Sequence, residues 1–83
     1  MAAQTRQVMT NLATALAAAG VGVEHLVQVF VLLVDGVDVA AGYRAAAEGL
    51  ATVTPPLVTA VMVSGLGVPG ALVEVSAIAV VVR

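Results

Sequence analysis

The feature that most constrains the fold of this chain is a run of apolar residues in its first half, His25–Val34 (HLVQVFVLLV). The run is rich in β-branched residues, which favour a strand, and it is shorter than the roughly 20 residues of a membrane-spanning helix. Gln28 is the only polar residue in its interior. Such nearly continuous hydrophobicity is typical of a strand that is covered on both faces, so the run predicts a buried strand.

The residues before this run predict an amphipathic helix over Gln4–Ala19. Apolar residues recur there at spacings of three and four, with polar residues between them. Gly20 follows at the position of a left-handed C-cap residue, so we expect the helix to end there. The apolar positions are Val8, Met9, Leu12, Leu16 and Ala19, and the polar ones between them are Thr5, Arg6, Thr10, Asn11 and Thr14.

A second, alanine-rich helix is predicted over Val39–Leu50. The Asp38 carboxylate precedes it and can accept hydrogen bonds from its free amides. Arg44 and Glu48 are spaced as an i,i+4 ion pair that faces solvent. The helix also offers a flat face suited to close packing on a sheet, formed by Ala40, Ala41, Tyr43, Ala46, Ala47 and Leu50.

The second half of the chain contains two further apolar runs. Val58–Val63 predicts a short strand, and Leu72–Val82 predicts a last strand in which the polar Glu74 alternates with apolar residues. Thr54–Pro56 predicts an extended linker, and Gly65–Gly70 predicts a hairpin connection. The order α-β-α-β-β predicts an α+β fold with two helices packed on one face of a mixed sheet.

The small size of the chain predicts that this fold needs a partner to cover its apolar surface. Its 83 residues are 61% hydrophobic and 10% charged. A chain of this length buries only about 60–65% of the surface that it exposes when unfolded, so one compact monomer cannot cover all of this apolar surface. An open sheet face and free strand edges would be exposed. The chain has no cysteine for a disulfide and no Cys/His cluster for a structural metal, so we expect a protein or lipid partner.

Composition excludes several classes of function. Three arginines and no lysine against five acidic residues, with one Phe and one Tyr, provide neither a phosphate-neutralising patch nor a base-stacking platform for nucleic acid. Residues 49–73 are uncharged and long enough to span a membrane, but Pro55, Pro56, Pro69 and clustered glycines would break a spanning helix. The polar N-terminus lacks the apolar region of a signal peptide, so a cytoplasmic location is the default expectation.

Several segments together resemble the Rid (YjgF-like) family, whose best-known members are small trimeric imine deaminases. Gln4–Leu12, with Gly20 at its end, resembles the first helix of the family, and His25–Val31 resembles the strand that follows. The second helix is matched by Gly42-Tyr43-Arg44, and the most specific segments are Pro55-Pro56 and Gly70–Ala79.

The resemblance covers the C-terminal two-thirds of a Rid domain with a chorismate-mutase-like fold. Family members carry roughly a further third, a set of strands, before the first helix. We therefore expect residues 1–83 to form a single, N-terminally truncated Rid-like domain. A fragment, a misplaced start and a truncated paralogue are equally compatible with this pattern.

The resemblance implies a chemistry that needs no metal or organic cofactor. The family hydrolyses reactive 2-imino acids such as 2-iminobutanoate and 2-iminopropanoate in clefts between trimer subunits. An arginine fork suits the substrate carboxylate, and a carboxyl group polarises the attacking water. In the family this arginine lies two residues after a proline, and here the same register is Pro56-Leu57-Val58. Ala60 occupies a position that is sometimes cysteine, and Glu74 retains the family acid.

These matches imply a cytoplasmic, homotrimeric protein that binds a small imino-acid-like metabolite, with deaminase activity weak or lost because Val58 replaces the arginine. The alternative is a structural or regulatory subunit that completes its sheet with another chain. A membrane-associated peptide is a third hypothesis. Glu74 is interpreted either as the water-activating acid or as a solvent-facing residue of the last strand. For His25 and Arg44 the ordinary interpretations, a solvent-facing imidazole and a partner of Glu48, are favoured over catalytic roles.

Overall fold

The computed structural model describes residues 1–51 and 55–82. Thr54 of the predicted linker lies outside these residues. The element order is α-β-α-β-β, as predicted, with one 3₁₀ turn at Val23–His25 before the first strand. The helices are α1 (Ala2–Ala18) and α2 (Val39–Gly49), and the strands are β1 (Leu26–Val34), β2 (Leu57–Val63) and β3 (Val73–Ala79).

The three strands form one mixed sheet in the order β2-β1-β3. β1 runs parallel to β2 and antiparallel to β3, which confirms the predicted α+β class. The prediction of a hairpin between β2 and β3 is wrong, because both strands pair with β1 and not with each other. The connection instead passes the end of β1, where the Val34 amide donates to the Leu72 carbonyl at 3.0 Å. β3 is also shorter than the predicted strand Leu72–Val82.

Helix α1 ends as the sequence predicts. Gly20 has a φ of +77°, a left-handed conformation that glycine adopts without strain. The Gly20 amide donates to the Ala17 carbonyl and the Val21 amide to the Leu16 carbonyl, both at 3.0 Å. These two bonds form a Schellman motif, which satisfies carbonyls that the last helical turn leaves without partners. The glycine therefore turns the chain toward β1.

The core lies between α1 and the inner face of the sheet. Leu16 packs there with Leu26 and with Val29, which is only 1% exposed. One predicted polar position on α1 is wrong, because Thr5 is buried at 3% exposure. Its hydroxyl donates to the Met1 carbonyl at 3.0 Å, so burial leaves no unsatisfied polar atom.

Helix α2 begins as predicted, since the Ala41 amide donates to the Asp38 carboxylate at 3.0 Å. Its buried residues, however, are Gly42 and Ala45, on the side that packs against α1. A Cβ at Gly42 would lie 3.0 Å from the Met1 Cε atom, so α2 packs closely against the start of α1 at this point. The predicted flat face packs only loosely, and Tyr43 within it is 75% exposed.

The predicted ion pair between Arg44 and Glu48 is not formed. Both side chains are exposed, and within residues 1–51 and 55–82 neither forms an ion pair. Exposed pairs at this spacing stabilise a helix by only about 0.3–0.5 kcal/mol, which is too little to fix two long side chains.

Neither helix in the described part of the chain has the length and hydropathy that crossing a membrane would require.

The outer face of the sheet is open in the single chain, so the prediction that β1 is covered on both faces is not met. Phe30 of β1 is 37% exposed, Val61 of β2 is 48% exposed and Ile78 of β3 is 51% exposed. These apolar side chains lie on the same face, and Val61 and Ile78 are each two positions along their strands from the residues paired with Phe30. The expected open face of a monomer is therefore present.

Candidate functional site

Two of the sequence-derived site positions lie side by side on the inner face of β2. Val58 is paired with Val29 of β1, and Ala60 is paired with Val31. Because side chains alternate between the two faces of a strand, Val58 and Ala60 point to the same side as the buried Val29. Both remain exposed, since the helices cover β1 and β3 more closely than β2.

Val58 and Ala60 line a groove of about 380 Å³ between α2 and the sheet. Its floor is formed by apolar strand residues, and its side wall by α2. None of its described lining residues carries a charged side chain. Besides Val58 and Ala60, the lining consists of Met1, Thr5, Met9, Val29, Val31, Leu33, Val39, Gly42, Tyr43, Ala46, Ala47, Leu50, Pro55, Pro56, Val73 and Val75.

Glu74 does not face this groove. It lies on β3 opposite Leu32, which is three residues along β1 from Val29. An odd number of residues separates opposite faces of a strand, so Glu74 points to the outer face, where its side chain is exposed. It borders a second hollow of about 360 Å³ beside α1, at the free edge of β3. Within one chain, the predicted acid and the two β2 positions are therefore not brought together.

The two arginines in the described part of the chain lie away from the groove. Arg6 on α1 and Arg44 on α2 are both exposed, and neither lines the groove. Within residues 1–51 and 55–82, no three His, Asp or Glu side chains converge in a way that could hold a metal ion. The groove as described is an apolar concavity without a charged anchor.

His25 has a structural role at the start of β1. Its Nδ1 atom accepts a hydrogen bond from the Gly22 amide at 3.0 Å, which closes the 3₁₀ turn. The same nitrogen lies 3.6 Å from the Glu24 Oε1 atom, too far for a hydrogen bond. The lone pair of Nδ1 is occupied by this hydrogen bond, so the Nδ1 atom stabilises the turn and is not available to accept a proton from a ligand.

Gln4 is a residue that sequence reasoning did not single out. Its side-chain amide donates to the Gly70 carbonyl at 3.0 Å and its amide oxygen accepts from the Leu72 amide at 2.8 Å. These two bonds fasten α1 to the chain just before β3. The partners lie 66 and 68 residues away, so no local pattern could have identified them.

Comparison with known proteins gives one family and several related structures. The family model described as endoribonuclease L-PSP matches residues 1–81. No curated protein sequence matches the chain significantly.

Solved structures match over nearly all of this chain. A candidate endoribonuclease L-PSP from Entamoeba histolytica is 34% identical with a TM-score of 0.83. The match covers 93% of this chain and 60% of the Entamoeba protein. The Rid-family protein YyfB from Yersinia pestis is 25% identical with a TM-score of 0.83. The match covers 98% of this chain and 62% of the YyfB chain. A member of the YjgF/YER057c/UK114 family from Mycobacterium tuberculosis is 30% identical with a TM-score of 0.87, covering 96% and 67%.

The chain thus spans less than two thirds of the length of the first two of these relatives. The match to the family model extends over both helices and all three strands. The resemblance inferred from the sequence segments is confirmed, and this chain belongs to the YjgF/Rid family, whose model carries the description endoribonuclease L-PSP.

Proposed function

We propose that this chain is a Rid-like small-metabolite-binding protein, related to the 2-iminobutanoate and 2-iminopropanoate deaminases, whose own deaminase activity is weak or lost. The observation that carries the proposal is the groove at Val58, which is lined without a charged side chain. An imino acid carries a carboxylate, and the groove offers that carboxylate no charged side chain with which to pair.

The second part of the argument concerns the acid. Imine hydrolysis adds water across the C=N bond and releases ammonia and a 2-oxo acid, so it needs a carboxyl group that can pass a proton to the nitrogen while water attacks the carbon. Glu74 retains the residue type, but it faces away from the groove of its own chain. It would serve a groove only across an interface, which fits the proposal of a homotrimer with sites between subunits.

The remaining parts of the proposal follow the same family pattern. Residues 1–83 act as one Rid-like domain in the cytoplasm, with no metal or organic cofactor. The metabolite lies against Val58 and Ala60, and Glu74 is the candidate acid. The open outer face, with Phe30 and Val61 exposed, supports the association that this arrangement requires.

The test measures ammonia release from 2-iminobutanoate and 2-iminopropanoate generated in solution. Light scattering and circular dichroism on the same sample establish beforehand that the protein is folded, with a trimer expected near three times 8.2 kDa. We expect the wild-type protein to release ammonia no faster than buffer. Turnover that Glu74→Gln abolishes would overturn the proposed loss of activity.

A gain-of-function variant sharpens this test. Val58→Arg restores a cation at a position that is 53% exposed, so the longer side chain fits without disturbing the core. We expect it to bind 2-oxobutanoate, the product of the reaction, more tightly than wild type. Val82→Arg adds the same charge at a position that is 96% exposed and should leave binding unchanged.

The alternative proposal is a structural or regulatory subunit that completes its sheet with another chain. Its supporting observation is that β2 and β3 are both edge strands, each with one unpaired side. Purification from the native host decides between the two. A second polypeptide present in a fixed ratio would favour the subunit, and a pure homo-oligomer would contradict it.

A further inference from the structure

The 3₁₀ turn before β1 places one imidazole nitrogen between two partners of opposite kind. The Nδ1 atom of His25 accepts a hydrogen bond from the Gly22 amide at 3.0 Å and lies 3.6 Å from the Glu24 Oε1 atom. The amide can only donate, and an ionised carboxylate can only accept. The same nitrogen therefore faces one partner for its neutral form and another for its protonated form.

The Glu24 carboxylate lies over the backbone of Gly22. A Cβ atom at Gly22 would be 2.6 Å from the Glu24 Oε1 atom, so the carboxylate occupies the space that a side chain would take there. The His25 side chain is 34% exposed and that of Glu24 is 66% exposed. Protons from solvent thus reach both groups, and a small movement of the carboxylate brings it within hydrogen-bond distance of Nδ1.

The elements next to the turn carry little charge of their own. On α1, which ends before the turn, Arg6 and the Met1 amino group lie toward the opposite end of the helix. Strand β1 has no charged residue, and Glu74 of β3 is paired with Leu32, far along β1 from the turn. Arg83 lies outside the described residues. Glu24 is therefore the charged group that the structure places beside the imidazole.

We infer that His25 is a proton-driven switch at the start of β1. In its neutral form the imidazole carries its proton on Nε2, and Nδ1 accepts from the Gly22 amide. A proton from solvent that binds Nδ1 displaces this bond, because two donors would then face each other. The new Nδ1–H group donates to the Glu24 carboxylate instead. Imidazoles ordinarily change charge between about pH 5 and 8, so the exchange of partners falls in that range.

The turn is connected to both layers of the fold. Val21 and Val23 pack against the core cluster beneath α1, and the His25 carbonyl accepts from the Val80 amide at 2.9 Å. An open turn would loosen the chain that follows β3 and expose the two valines. The second partner, Glu24, keeps the turn closed when protonation removes the first one.

NMR of the folded wild-type protein between pH 5 and 8 tests the switch. Nitrogen chemical shifts of the imidazole show which ring atom carries the proton, and solvent-exchange rates, corrected for their intrinsic pH dependence, report on the Gly22 and Val80 amides. We expect Nδ1 to be unprotonated at pH 8. Once the imidazole is protonated, the Gly22 amide should exchange about tenfold faster, since one hydrogen bond is lost, whereas the Val80 amide keeps its protection.

Three variants separate the two partners. In Glu24→Ala the protonated imidazole has no acceptor, so the Val80 amide should exchange about tenfold faster at pH 5 than in wild type and equally fast at pH 8. In His25→Asn an amide oxygen accepts from Gly22 without titrating, so the corrected Gly22 rate should not change with pH. Arg83→Ala should titrate as wild type does.

Four outcomes would overturn the inference. Neutral His25 could carry its proton on Nδ1, or the Gly22 exchange rate could stay constant while the imidazole becomes protonated. Glu24→Ala could leave the Val80 amide as protected at pH 5 as in wild type, or Arg83→Ala could abolish the exchange of partners. If Glu24→Ala fails to fold, the tautomer and the Gly22 rate of the wild-type protein still decide.

Discussion

Apolar side chains on the two faces of the sheet have very different surroundings. On the inner face, Val29 and Val73 are 1% and 6% exposed beneath the helices. On the outer face, Phe30 and Ile78 are 37% and 51% exposed, although they are equally apolar. Hydrophobicity alone therefore does not determine burial in this chain. The helices cover the inner face, and within the single chain the outer face stays open.

The strongest test of this difference is a charge placed on each face of β1. We expect Val29→Asp to prevent folding, because an unpaired carboxylate at a fully buried position destabilises by about 4 kcal/mol or more. Phe30→Asp, one residue further along, should stay folded and lower the molar mass of the assembly. Circular dichroism and light scattering report the two effects. Loss of folding in both variants would mean that the faces are equally essential.

A smaller effect is expected when a leucine is truncated. Leu33→Ala, at a site that is 6% exposed, should lower the free energy of unfolding by about 2–4 kcal/mol, since it leaves a cavity beneath the helices. Leu57→Ala, at a site that is 73% exposed, should change it by less than about 0.5 kcal/mol. Urea denaturation measures both. A large loss for Leu57→Ala would indicate that the outer face is already covered.

The attachment of the helix layer to the edge of the sheet depends on Gln4. Gln4→Ala should destabilise by about 1–2 kcal/mol, because the part-buried Leu72 amide loses its acceptor. Hydrogen exchange at Leu72 should accelerate, while Gln4→Glu keeps the acceptor and should slow that exchange again. Gln7→Ala removes only an exposed bond to Asn11 and serves as the control. Unchanged exchange in Gln4→Ala would contradict this role.

The smallest effect is expected at the start of α2. Asp38→Ala removes the acceptor of the Ala41 amide and should lower the free energy of unfolding by about 1 kcal/mol. Asp38→Ser should restore most of that stability, since a serine hydroxyl can accept the same bond. Glu48→Ala on the exposed side of the helix is the control. An equal loss in Glu48→Ala would show that the effect is not one of capping.

Sequence reasoning succeeded where a local signal decides the structure. Gly20 and Asp38 act within one helical turn of themselves, so their roles could be predicted from their neighbours. It failed where the partner is distant in sequence. The glycine-rich composition of Gly65–Gly70 predicts a hairpin connection, whereas the two strands that it joins both pair with β1. The inner face of α2 depends on where α1 lies, which spacing alone could not show.

The sequence supplied candidate positions for the site but not their geometry. Val58 and Ala60 could be assigned by their distance from Pro56, and the structure places them together. That Glu74 faces away from them follows from the antiparallel pairing of β3 with β1, which no sequence pattern specified. The family resemblance thus suggests which positions belong to the site, and the pairing of the strands determines how their side chains are oriented.

The central position of β1 also affects how the chain can fold. The strand is complete at residue 34, but its two partners begin at residues 57 and 73. No pair among these three strands can form during synthesis until β2 has emerged, and their sheet is finished only when residue 79 is available. Pairing over such separations is slow compared with helix formation. Among the three described strands, β1 is therefore synthesised before both of its partners, and its edges stay unpaired with them until they emerge, a state in which exposed strand edges favour aggregation.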